Sequence, residues 1–180
     1  MPAAPTDPAP PSSAPTPADT RWKPSVTVAA VIEQDGRYLL VQERTPEGLR
    51  LNNPAGHLDP GESLVDAVVR EVLEETARRF TPTALVGIYL ARAERPASGE
   101  QFTWLRVAFT GSVGEREPGR SLDVPIVDTP WLSAAEIIAR AAEHRSPLLA
   151  QCVADHAAGR RYPLDLLQVH ASLQQPYRLA

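Results

Sequence analysis

Glu71, Glu74 and Glu75 fall close together in a segment, Ser63 to about Arg79, whose apolar residues recur at helical spacing. On a helix turning about 100° per residue, Leu64, Val65, Val68, Val69, Val72 and Thr76 fill one arc of about 140° that must face a core. The three carboxylates share an arc of about 100°, with Glu71 and Glu74 beside one edge of the apolar arc and Glu75 inside it. Acidic residues of a solvated helix face sit opposite the apolar stripe, so Glu75 points where burial is expected. The segment holds no lysine, and Arg70 is one cation against several acids. Like charges this close repel, and removal from water raises the cost. A divalent cation relieves both penalties, and hard oxygen donors suit Mg2+, with Mn2+ as a substitute. A Glu pair at i, i+4 is by itself more often a charged face without a role; the loop before the helix changes the balance.

Ser63 caps the helix, with Asp66 three residues on in a capping-box position, and Pro60-Gly61 marks a tight turn ahead of it. The helical pattern stops before Pro82. Upstream, the β-branched run Val26 to Ile32 reads as a buried strand, Asp35-Gly36 as a hairpin turn and Tyr38 to Val41 as the returning strand. Downstream, Ala84 to Ala93 and Phe102 to Gly111 read as strands around a polar loop with Pro96 and Gly99, and residues 112–125 as a second loop. Ile126 to Leu132 reads as a short strand; helices follow from Ser133 to about Glu143 and over Pro147 to Ala157. Strands and helices so mixed point to α/β or α+β with a mixed sheet. The first 22 residues are a Pro/Ala-rich stretch unable to bury enough apolar surface to order itself, which leaves one domain over residues 23–170 and a tail over 171–180.

At 180 residues and 43% hydrophobic, the chain suits one soluble domain. A net charge of -4 speaks against a general nucleic-acid binder and means that an anionic substrate needs local cations. The single cysteine, Cys152, excludes an intrachain disulfide and a multi-cysteine zinc site, as expected in a reducing cytoplasm. The longest apolar run is too short to span a bilayer, and the N-terminus lacks the basic and apolar regions of a signal peptide.

Gly56 is followed after five residues by Glu62, and after seven more by Arg70-Glu71-Val72-Leu73-Glu74-Glu75-Thr76. This pattern resembles the Nudix box; Ala77 stands where the pattern has glycine and Arg78 where it has an apolar residue. Asn53-Pro54-Ala55-Gly56-His57-Leu58, Arg145-Ser146-Pro147-Leu148 and Arg161-Tyr162-Pro163-Leu164 are similar to segments of the NudJ-type phosphatases within that superfamily, so the likeness runs over about residues 24–168. The resemblance implies an α/β/α sandwich with a mixed central sheet. It also implies Mg2+-dependent hydrolysis of phosphoanhydride bonds in a small phosphorylated metabolite: a nucleoside tri- or diphosphate, thiamine pyrophosphate or hydroxymethylpyrimidine pyrophosphate.

Carried over residue by residue, the resemblance makes Glu71, Glu74, Glu75 and the Gly56 carbonyl metal ligands, with Glu74 alternatively the base, and Glu62 with Arg70 an ion pair that orients the loop over the helix. A further carboxylate from a downstream loop is expected among Asp123, Asp128, Glu115 and Glu117. Arg145, Arg161 and Tyr162 are substrate-binding candidates, weighed against a role in tying the last helices to the sheet. His57 is read as structural or solvated more than phosphate-binding, the three tryptophans as core or strand residues, and Cys152 as a packed thiol. The competing reading is a non-catalytic nucleotide- or phosphosugar-sensing module on the same fold. An isoprenoid diphosphate isomerase would require a cysteine ahead of the box, and Cys152 lies far beyond it.

Overall fold

A computed structural model describes residues 22–94 and 98–175. The expected N-terminal tail up to residue 21, the loop proline Pro96 and the last five residues lie outside the described residues. The strands are β1 (Ser25–Gln34), β2 (Arg37–Leu39), β3 (Val41–Thr45), β4 (Gly48–Asn52), β5 (Ala55–His57), β6 (Arg78–Glu94), β7 (Gln101–Arg116), β8 (Ile126–Asp128) and β9 (Trp131–Ser133), and the helices are α1 (Leu64–Thr76), α2 (Ala134–Ala139) and α3 (Leu148–Ala157). The main sheet runs β6-β7-β1-β2-β9 with β5 also on β1, and β4-β3-β8 form a second, three-stranded sheet. The β1–β7 pairing is parallel and the other pairings are antiparallel, so the main sheet is mixed.

The side-chain period of two along a strand sorts the core into two layers. Val28, Ala30 and Ile32 of β1, with Val107 and Phe109 of β7, pack beneath Ala67, Val68 and Val72 of α1. Val31 and Ala108 point the other way and pack with Leu148, Leu149, Cys152 and Val153 of α3 and Ile137 of α2. Helices thus cover both faces of a mixed sheet, the expected α/β/α sandwich. No helix among the described residues is long and apolar enough to cross a membrane.

Several elements differ from expectation; β4 and β5 were not anticipated, and the helix read as running to about Glu143 ends as α2 at Ala139. The first helix ends at Thr76, three residues early, because Ala77 takes the left-handed conformation (φ 55°) and its N–H bonds the Leu73 carbonyl at 3.0 Å. The next strand begins at once, so β6 and β7 form a hairpin longer than expected, and much of the stretch read as a loop after residue 112 is strand. Pro82 sits within β6, an edge strand, where a missing N–H costs little. Opposite it lies Gly111, where a Cβ would run into the Thr81 carbonyl. The segment from 126 to 132 divides into β8 and β9, which belong to different sheets. The turn at Asp35-Gly36 has positive φ at both residues (52° and 77°), as a two-residue hairpin requires.

Candidate active site

The loop into α1 is fixed at its end by Ser63, whose Oγ accepts the Asp66 N–H at 3.1 Å. One turn and more along, Arg70 gathers the acidic groups. Its Nε and Nη2 donate to the two Glu62 oxygens at 3.1 and 2.7 Å, and its Nη1 donates to Glu71 at 2.7 Å and to Glu74 at 3.0 Å. Nη2 also donates to the His57 carbonyl at 3.0 Å, so the expected Glu62–Arg70 pair does bind loop to helix. The three carboxylates, Glu62 first, hold the guanidinium charged well above its ordinary range, while Arg70 in turn pulls the Glu62 carboxyl below its own.

Gly56 lies directly under Glu71. A Cβ there would run into the Glu71 carboxyl group, so glycine leaves that carboxyl its place beside Arg70. Next door, the Ala55 N–H donates to Glu75 at 2.8 Å. Burial pushes the Glu75 carboxyl up to about 8; the Ala55 bond opposes this, and the charges of Glu71, Glu43 and Asp123 add to it. Burial also raises Glu71, against the pull of Arg70.

Glu75 borders a cavity of about 220 Å³. Its wall is set by register across three adjacent strands: Thr27 of β1 pairs with Arg106 of β7 on one side and with His57 of β5 on the other, and Ser25 pairs with Trp104. Glu43 and Arg145, 3.5 Å apart, close the opposite side. The His57 and Trp104 rings meet at 5.3 Å between centroids. Arg145 is thus brought to the carboxylates. Arg161 and Tyr162 are not: Arg161 bonds the His156 carbonyl at 3.1 Å and the His156 ring at 2.6 Å, while Tyr162 pairs its backbone with Leu85 and lines a separate hollow on β6. Arg161 thus holds the C-terminal segment to the last turn of α3 and Tyr162 holds it to β6.

The family model for the NUDIX domain matches residues 21–152, well over half of the chain. Phosphatase NudJ of Escherichia coli K12 is 34% identical over 146 residues, covering 81% of this chain and 92% of that protein, and its Shigella sonnei counterpart matches equally. A NUDIX hydrolase from Nitrosomonas europaea superposes with a TM-score of 0.74 at 53% identity over 82% of this chain and 98% of its own. The chain belongs to the Nudix hydrolase family. The fold alone is shared with the NUDIX domain of Shewanella oneidensis NrtR, solved with ADP ribose (TM-score 0.58, 18% identity, 76% of this chain and 88% of that one).

Membership makes the protein a phosphoanhydride hydrolase, and Nudix hydrolases generally use a divalent metal. Among the described residues of this Nudix hydrolase no three His, Cys, Asp or Glu side chains stand close enough to hold an ion as they are. The reason lies in Arg70, which draws Glu71 and Glu74 toward itself while Glu75 turns to Ala55. The donor set nonetheless fits a hard cation. The carboxylates of Glu71, Glu43 and Asp123 bear on Glu75, which burial first and they in addition have raised to about 8, and Glu74 bears on Glu71. Of the four downstream candidates, Asp123 is the one whose charge reaches Glu75, and its backbone N–H bonds the Glu74 carbonyl at 3.0 Å. Glu117 instead pairs with Arg79 and Arg120, each at 2.8 Å. Arg78, in the pattern's apolar position, bonds the Gly114 carbonyl and lies 5.9 Å over the Trp131 ring. Glu43, Arg106 and Asn52 were not anticipated; Trp104, read as a core or strand residue, lies on β7 and also lines the cavity, and only the strand register assembles these groups.

Proposed function

We propose that the protein is a Mg2+-dependent Nudix phosphatase that releases phosphate from nucleoside tri- or diphosphates or from a thiamine-type diphosphate. The observation that carries this is the Glu75 carboxyl, raised to about 8 among Glu71, Glu43 and Asp123, beside a cavity edged by Arg145. A purely sensing module on this fold has no use for carboxylates so crowded and so costly to ionise.

Glu71, Glu74, Glu75 and the Gly56 carbonyl would hold Mg2+, or Mn2+ in its place, with Asp123 and Glu43 as further oxygen donors. When bound, the ion supplies charge neutralisation of phosphate oxygens and polarisation of the bond to be cut. The chain's own groups do the rest. Arg70 fixes Glu62, Glu71 and Glu74 relative to one another and to the His57 carbonyl, so the attacking water and the phosphoryl group meet in a set orientation. In the alternative in which Glu74 is not a ligand, it accepts the proton of that water, with one of its oxygens engaged by Arg70. Arg145, half-exposed at the cavity edge, bonds phosphate oxygens. NudJ is named a phosphatase, which agrees with this reading. We place the enzyme in the cytoplasm, where a lone buried thiol such as Cys152 stays reduced.

The test is phosphate release with Mg2+ across nucleoside di- and triphosphates, thiamine diphosphate, dinucleoside polyphosphates and ADP-sugars. Turnover of a nucleotide or thiamine-type diphosphate that EDTA abolishes is expected. No product from any of them would return the protein to the sensing class.

A further inference from the structure

β6 lies at the edge of the main sheet, and its two halves are guarded differently. An open edge is a template for any passing strand, so proteins blunt it with proline, with bulges or with a covering segment. The first half of β6 carries all three. Pro82 removes a donor, and the register against β7 slips between Pro82 and Ala84 and again between Leu85 and Gly87. The Tyr162 backbone then pairs with Leu85, each N–H donating to the other's carbonyl at 2.8 Å. From Gly87 to Glu94 none of these devices recurs, and among the described residues nothing bonds the outer backbone of that stretch. The same stretch turns apolar side chains to solvent. Ile88 is 63% exposed and Leu90 is 67% exposed; they stand beside Val107 and Leu105 of β7, on the face of the sheet that α1 covers further in. Tyr162 and Leu166, also exposed, continue the patch: both line one hollow with Ile88, and the turn Leu164–Leu166 packs against β6. A contiguous apolar patch beside an open strand edge marks an interface.

The charges at its ends say what fits. Arg92 follows Leu90 on the same face of β6, and Asp165 adjoins Leu166 at the opposite end of the patch. Both are exposed, and neither forms an ion pair among the described residues. A patch with a cation at one end and an anion at the other is complementary to itself under a two-fold axis, which turns one copy end for end. Antiparallel pairing of β6 with itself about Leu90 sets Ile88 opposite Arg92 of the second copy and carries that arginine toward the end marked by Asp165. It holds the two Arg92 side chains apart. It also uses the edge from Val86 to Glu94 and stops short of Leu85, which Tyr162 already occupies. We infer that the open half of β6 joins a second copy of this chain, antiparallel about Leu90, in a two-fold dimer closed by Ile88, Leu90, Tyr162 and Leu166 and by two Arg92–Asp165 pairs. Four partly exposed side chains fall short of the roughly 800 Å² per partner of a tight complex, which puts the dissociation constant in the micromolar range. The interface does not depend on the proposed reaction.

The test is sedimentation equilibrium of the full chain at concentrations rising from micromolar to several hundred micromolar. Wild type passes from monomer to dimer and stops there, since a two-fold contact uses up both edges. Leu90→Lys sets two like charges face to face and leaves a monomer over the same range. Its unfolding midpoint at low concentration matches that of wild type, because the residue is exposed in the single chain. Arg92→Asp and Asp165→Arg each weaken association roughly tenfold, since two like-charge pairs replace two opposite ones. Combined in one chain, the two substitutions restore association to within about twofold of wild type, a rescue that general apolar stickiness would not give. A dimer that survives Leu90→Lys, a double variant no better than the single ones, or association that continues past two copies would each overturn the proposal. So would a wild-type chain that stays monomeric throughout, which would leave the patch to another protein or to the chain's own N-terminal segment.

Discussion

Replacing Glu75 with glutamine removes a charge that the fold holds at a loss. In the folded chain this carboxyl titrates near 8 against an ordinary 4.5. The folded state therefore binds the proton more tightly than the unfolded one, and wild type loses stability relative to an uncharged variant as pH climbs from about 4.5 to about 8, with a plateau above. At 1.36 kcal/mol per unit, the gap is near zero at pH 4.5, about 3 kcal/mol at pH 7 and up to about 5 kcal/mol at pH 9. Glutamine keeps the acceptor for the Ala55 N–H, so little else changes. Thermal or urea unfolding of both proteins in EDTA at these three pH values measures the gap; titrations common to both cancel in the difference. At about 2–4 °C per kcal/mol for a chain of this size, Glu75→Gln melts on the order of 10 °C higher at pH 9. Added Mn2+ at pH 7 raises the melting temperature of wild type and leaves the variant where it was. A gap that does not change with pH, or a variant less stable than wild type at pH 9, would refute the account of Glu75 as a carboxylate crowded for a cation.

Two further outcomes test other parts of the site and core. Gly56→Ala forces a methyl group into the space of the Glu71 carboxyl, which must leave Arg70; turnover is expected to fall by about a hundredfold, with folding little affected because a flexible side chain yields first. Near wild-type phosphate release would show that the close approach is incidental. Cys152 is fully buried and its thiol is pushed up to about 11 by burial, so it should ignore a thiol-specific disulfide reagent at pH 8 in the native protein and react within the unfolding time in urea. Rapid reaction of the folded protein would contradict its packing against α3 and the sheet.

How legible the site was depends on how its residues are joined. The clustering of the three glutamates on α1 was readable, since one helix converts fixed spacing into fixed geometry; the wheel put Glu75 inside the apolar arc, and burial does act on it most. Glu62 and Gly56 were readable through the box pattern. Glu43, Asn52, Trp104 and Arg106 were not, because they come from four positions on β3, β4 and β7 that meet only through pairings a single sequence does not display, above all the parallel alignment of Thr27 with Arg106. The reach of β6 and β7 was underestimated because Pro82 looks like a terminator, and only an edge position makes it harmless. Arg161 and Tyr162 stand away from the carboxylates, bonded to His156 and Leu85, a placement that depends on which way the last segment runs.

The place of α1 between β5 and β6 also shapes how the chain matures. Half of the surface beneath the helix, Phe80 and Leu85 of β6 with Val107 and Phe109 of β7, is made after the helix itself. As the polypeptide emerges from the ribosome, α1 has only the first two hairpins to rest on until residue 109 is free, and it presents a greasy stripe and a knot of acids to its surroundings in the meantime. Its final docking must wait for the β6–β7 ribbon, a local and fast-forming unit, to swing in alongside β1 and close a loop of some eighty residues, the slow kind of contact.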